Sequence, residues 1–95
     1  MKVRFSSDAL ADLDQIFSYI AADNVTAAAA VVERVEQSVG RLADFPDLGH
    51  PTEYPEMRVL PLGRYPYLIF YEVTAEAIVI HHVRHGARRR PWEQE

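Results

Sequence analysis

Residues 67–84 read YLIFYEVTAEAIVIHHVR, and the two halves of this stretch decide the architecture of the chain. Tyr67, Ile69, Tyr71 and Val73 alternate with Leu68, Phe70 and Glu72; after the turn Thr74-Ala75-Glu76, Val79 and Val83 oppose Ile78 and Ile80. Period-two alternation of β-branched and aromatic residues predicts strands over Tyr67 to Val73 and Ala77 to Arg84, and the short connection makes them antiparallel. Apolar side chains point to both faces. Such a sheet needs cover on both sides.

Working outward, Met57 to Leu62 has strand character and reaches Tyr67 through GRYP, so three strands form a meander. Residues 44–56 carry Pro46, Gly49, Pro51 and Pro55 and predict a loop. Before it lie two helical patterns. Asp8 is placed to cap the first, which runs to about Ala22 with Leu10, Leu13, Ile16, Phe17 and Ile20 at helical spacing. Asn24 or Thr26 can cap the second, which opens with four alanines and continues its stripe through Ala28, Val31, Val32, Val35, Val39 and Leu42. Val3 and Phe5 mark a short strand over Lys2 to Phe5. The expected fold is α+β in the order β-α-α-β-β-β, with a helical hairpin packed on one face of a small, mainly antiparallel sheet. The second face is then either sealed by the loop and the C-terminal tail or left for a partner.

Ninety-five residues make one domain, 1–95, with 88–95 as a C-terminal tail, and a chain of this size buries roughly 60–65% of its unfolded surface. The 48% hydrophobic and 25% charged content is that of an ordinary globular protein. Cysteine is absent, which excludes disulfides and thiolate metal sites. Asp8, Asp12 and Asp14 stand where a signal peptide would be apolar, and no aliphatic run spans a bilayer, so a cytoplasmic location without membrane contact is expected. The net charge of −4 is unevenly placed: residues 1–49 hold four basic side chains against eight acids, residues 50–95 six against six. Such a balance argues against a protein whose main task is gripping nucleic-acid phosphates.

The chemistry-bearing residues crowd the end of the chain, where HHVRHGARRRPW occupies 81–92. Alternation puts His81 and His85 on one face and His82 on the other, with no neighbouring carboxylate to complete a zinc set, so no metal and no cofactor are expected. RNA cleavage through the 2′-hydroxyl needs a base, an acid and cations for the phosphorus charge. Arg58, Arg64, Tyr71, Arg84, His85 and Arg88 all come from the three-stranded half and could converge to supply them, although arginines at strand ends are commonly just solvated. ARRRPW could serve as a nucleic-acid grip with Trp92 for stacking, or as a tail folded back over apolar surface. No phosphate-binding glycine loop or nucleophile elbow occurs.

The strings ALADLDQIFSYIA, VERVEQSVGRLADFPDLGHP, MRVLPLGRYPYLIFYEV and IVIHHVRHGAR, in this order and spacing, resemble the RelE/ParE superfamily of bacterial toxins over about residues 3–88. The resemblance implies the same β-α-α-β-β-β order and a toxin neutralised by an antitoxin, so that the sheet surface without helix cover would be partner surface. RelE-like members cut messenger RNA on the ribosome; ParE-like members poison DNA gyrase without being nucleases. Against the RelE branch, Arg58 matches one basic residue of the first meander strand, but Leu60 stands at the other and Leu68 at the arginine of the next strand. Arg88 matches the arginine after the C-terminal glycine, while the late tyrosine falls near Gln94, and His85 is followed by Gly86 where the alternative histidine-tyrosine pair needs tyrosine. The resemblance therefore implies a ParE-like toxin of a type II, plasmid-stabilising kind of system. It would bind gyrase, pair with a ParD-like antitoxin and touch DNA only through that antitoxin. Arg58, Arg64, Tyr71, Arg84, His85 and Arg88 are the candidates for target or antitoxin contact. A ribosome-dependent messenger-RNA endonuclease using Arg58, His85 and Arg88, and a non-toxic member that only binds its partner, are the alternatives.

Overall fold

The computed structural model describes residues 1–93. In chain order it contains β1 (Lys2–Phe5), α1 (Ser7–Ala21), α2 (Val25–Asp44), β2 (His50–Pro51), β3 (Met57–Pro61), β4 (Tyr67–Val73) and β5 (Ala77–His85). The strands form one sheet in the order β1-β5-β4-β3-β2, antiparallel throughout except for the parallel pairing of β1 with β5. This is the expected order with one addition: His50–Pro51, inside the proline-punctuated loop, pairs with Arg58 and Val59 as a two-residue edge strand.

Local chemistry explains the helix ends. Ser6, not Asp8, caps α1: its hydroxyl oxygen accepts from the Ala9 N–H at 3.0 Å, while Asp8 contributes negative charge in the first turn. The same hydroxyl donates to the His81 carbonyl at 3.0 Å and the Ser6 N–H to the Ile80 carbonyl at 2.9 Å. One residue thus starts the helix and ties it to β5. Asn24 caps α2 through the Ala27 N–H, and the alanine-rich turn follows.

The helical hairpin covers one face of the sheet. Ala9, Val31, Val35, Val39 and Leu42 from the helices meet Tyr67, Ile69, Tyr71, Ile78, Ile80 and Val83 from the sheet. Leu13, Ile16 and Ile20 pack against this core, but Leu10 and Phe17, placed on the same stripe by sequence, are 55% and 36% exposed. A stripe five residues wide exceeds what the contact with the sheet and α2 can cover.

Val83 also departs from the expectation. Simple alternation sets it with Val79, opposite Ile78 and Ile80, yet it shares their core face. The reason is a bulge: Phe70 pairs with His82 and Tyr71 with Ile80, leaving His81 without a partner and shifting the alternation by one residue. His81 consequently turns to Glu72 on the outer face, and His85, beside Tyr67, lies on the inner one. The two histidines expected to share a face are separated.

The outer face is closed by the chain itself. Phe70, 1% exposed, has Trp92 edge-on at 5.6 Å between ring centres; Tyr54 from the long loop lies 5.2 Å from Trp92. The Arg90 guanidinium sits 5.7 Å from the Phe70 ring centre and 5.8 Å from that of Trp92. Its Nε is 3.8 Å from a Glu53 carboxylate oxygen. The tail therefore covers Phe70 on this face, which the resemblance implied to be partner surface.

Candidate functional site

The candidate residues do not form one cluster. Arg58 lies at the far side of the sheet, where its Nη2 donates to the carbonyls of Gly49 (2.6 Å) and Asp47 (3.2 Å). Tyr71 is fully buried, its hydroxyl donating to the Pro46 carbonyl at 2.8 Å and accepting from the Gly49 N–H at 2.9 Å. Both side chains hold the segment 46–49 against the sheet, and the Tyr71 ring has no surface to offer a partner. Arg64 stands at the β3–β4 turn, which bends at Gly63 with φ +70°, and stacks at 5.4 Å on Tyr65, as does Arg34 at 5.3 Å.

Arg84, His85 and Arg88 do come together. They line a cleft of about 380 Å³ between α1 and the end of β5, with Tyr67 and Val83 at its base. The opposite wall is helical: Asp12, Gln15, Ile16 and Tyr19 all line it. None of these four is among the candidate site residues read from the sequence, although their spacing of i, i+3, i+4 and i+7 puts them on one side of α1. The signal was readable as a helix face, but nothing in the sequence says that this face looks onto the last strand.

Asp12 builds the cleft's corner. β1 ends at Phe5, so the edge of β5 beyond Ile80 has no strand beside it, and an unpaired N–H there needs another acceptor. Asp12 Oδ2 accepts from the Val83 N–H at 3.1 Å and lies 3.1 Å from His82 Nδ1. His85 Nδ1 accepts from the Ala87 N–H at 3.0 Å, so the neutral ring carries its proton on Nε2, and the ring meets Tyr67 edge-on at 5.5 Å. Arg84 is half-buried, and its Nε is enclosed without a hydrogen-bond partner among the described residues. The cleft thus presents cationic donors on one wall and a carboxylate, an amide, an aliphatic and a phenol on the other.

The three histidines of β5 each have a different neighbour: Glu72 for His81, Asp12 for His82, Tyr67 for His85. No group of three or more His, Asp or Glu side chains placed to hold a metal ion occurs among the described residues. Of Leu60 and Leu68, which the resemblance sets at positions where the RNA-cutting branch would carry cations, Leu60 packs against the core. Gln94, the position near which that branch's tyrosine falls, lies outside the described residues.

A helical hairpin packs on a five-stranded mixed sheet, and basic side chains gather where the last strand ends, in an α+β fold. A family model described as the ParE toxin of the type II toxin-antitoxin system parDE matches residues 3–90. The chain belongs to this family and is a type II toxin-antitoxin toxin of the ParE/RelE superfamily. It is 35% identical over 79 residues to Y4kP of Sinorhizobium fredii, whose name classes it as a candidate toxin, with 83% of this chain and 82% of that one covered. Among solved structures it is similar to a chain of the chromosomal ParDE system from P. aeruginosa, with a TM-score of 0.78, 27% identity, and 90% of this chain and 95% of that one covered. It is also similar to a chain of the RelBE2 toxin-antitoxin complex from Mycobacterium tuberculosis, with a TM-score of 0.62, 27% identity, and coverage of 88% and 95%.

Proposed function

We propose that this toxin halts growth by binding DNA gyrase, as a protein ligand and not as a nuclease, and that a ParD-like antitoxin covers and silences it in the cytoplasm. The carrying observation is the separation of the RNA-cutting set: Arg58 is tied to the carbonyls of Asp47 and Gly49, whereas His85 and Arg88 line the cleft beside α1. Phosphodiester cleavage needs its base, acid and cations on the same phosphate, and leucines at positions 60 and 68 remove two of those cations. The higher structural similarity to the ParDE chain than to the RelBE2 chain supports the same branch. Among the described residues no helix is long and apolar enough to cross a membrane.

The test sets a gyrase supercoiling and DNA-cleavage assay beside a translating-ribosome assay, both with the full chain. Inhibited supercoiling or trapped cleavage complexes, with message left intact, are expected. Cuts in ribosome-bound message that disappear in His85→Ala would replace this reading with the endonuclease one, which uses Arg58, His85 and Arg88. Silence in both assays, together with harmless expression in the absence of an antitoxin, would leave a protein that only binds its partner.

A further inference from the structure

The sheet has an open edge at β1, which pairs with β5 on one side and with no described strand on the other. The opposite edge is the two-residue β2, which ends at Pro51, a residue without an N–H. The Ser6 N–H donates to the Ile80 carbonyl, which fixes the side of β1 that faces β5. Backbone groups alternate sides along a strand, so those of Lys2 and Arg4 bond towards β5, while the N–H and C=O of Val3 and Phe5 point outward. These four outward groups have no hydrogen-bond partner among the described residues. A row of alternating donors and acceptors is a template for another strand.

The side chains say which strand fits. Val3 and Phe5 are half-buried and pack against the core, so an added strand meets apolar surface on the helix side. Lys2 and Arg4 alternate with them and are exposed, and among the described residues neither forms a hydrogen bond or an ion pair. Both line a hollow of about 550 Å³ with Thr74, Glu76 and Ala77; Glu76 is its one acid and forms an ion pair with neither. We propose that β1 is the docking edge for an extended, acidic segment of a protein partner, which adds a strand with apolar residues towards the helices and carboxylates opposite Lys2 and Arg4. Main-chain bonds supply the affinity of such an added strand, and its alternate side chains the specificity. A second copy of the chain fits poorly, because any antiparallel β1–β1 pairing that engages Val3 sets a cation directly against a cation. A phosphate backbone brings only acceptors and leaves the outward carbonyls of Val3 and Phe5 unmet. The edge shares no lining residue with the cleft of Arg84, His85 and Arg88, and the inference does not use the gyrase reading.

The test is residue-resolved amide hydrogen exchange on the full-length toxin, alone and with the pentapeptide Ac-Val-Glu-Val-Glu-Val-NH2 or its counterpart with lysine in place of glutamate. In the toxin alone, Arg4 is expected to exchange slowly and Val3 and Phe5 fast. The glutamate peptide is expected to slow Val3 and Phe5 and to bind roughly tenfold more tightly than the lysine peptide, because two cross-strand charge pairs change sign. The net charge of −4 on the toxin favours the lysine peptide, so the opposite preference reports the edge itself. Arg4→Glu is expected to remove that preference. Val3→Pro, which deletes an N–H that β5 does not use, is expected to weaken the glutamate peptide about tenfold with the far-ultraviolet circular dichroism unchanged. Equal binding of the two peptides, or no slowing at Val3 and Phe5 up to the solubility limit, would overturn the proposal. So would slow exchange at Val3 and Phe5 in the toxin alone, which, with a dimer in sedimentation, would make a second copy the occupant. The gyrase assay is read separately, and its failure leaves this edge as it stands.

Discussion

At the scale of single residues, Tyr71 and Gly49 are fitted to each other. A Cβ at position 49 would lie 2.6 Å from the Val59 carbonyl oxygen and 2.7 Å from the Tyr71 hydroxyl, so only glycine lets the loop backbone approach closely enough to donate to that hydroxyl. Tyr71→Phe should lower stability by about 1–3 kcal/mol, because it strips a buried N–H and a carbonyl of their partner. Gly49→Ala should cost roughly as much through overpacking. Urea denaturation followed by circular dichroism measures both, and an unchanged midpoint in Tyr71→Phe would mean that the loop does not depend on the hydroxyl. Tyr71 and Arg58 looked like surface chemistry in the sequence, because a tyrosine and an arginine on neighbouring strands carry no mark of being turned towards a loop 9 to 25 residues away. Asp12 was missed for the same reason in reverse: its partner lies 71 residues further along.

At the scale of elements, β5 and the tail after it carry most of what is particular to this chain. The bulge at His81 is fixed by Ser6, which accepts from Ala9 to start α1 and donates to the His81 carbonyl, so that helix start and strand irregularity form one joint. Past the bulge the strand has lost β1 as neighbour, and α1 takes over as its side wall through Asp12. The tail then crosses the outer face, with Trp92 on Phe70 and Tyr54. Trp92→Ala should destabilise by about 1–3 kcal/mol, the value of a partly buried aromatic with two ring contacts. It should also expose Phe70 and raise the binding of a hydrophobic dye. A variant with wild-type stability and no added dye binding would show that the tail does not cover this face in solution.

At the scale of the whole molecule, the two faces of the sheet are covered by parts of very different kind: thirty-five helical residues in α1 and α2 on one side, a short tail and a loop on the other. Because Trp92 is the one tryptophan, its fluorescence follows the tail while far-ultraviolet circular dichroism follows the helices. Coincident denaturation curves are expected, since helices and sheet share one hydrophobic core that unfolds as a unit. A fluorescence transition at lower denaturant would instead make the tail a separately opening strap. The sequence by itself determined the element types and their order, because those follow from local periodicity, capping residues and short connections that neighbouring positions carry. It also carried the resemblance to the toxin superfamily and the crowding of basic residues at the end of the chain. Only the tertiary structure decided that β1 pairs in parallel with β5, that a bulge returns Val83 to the core, that the tail closes the outer face, and that Arg84, His85 and Arg88 meet a face of α1 while Arg58 and Tyr71 do not. Each of these rests on contacts between residues far apart along the chain, whose energies arise only once packing has brought them together.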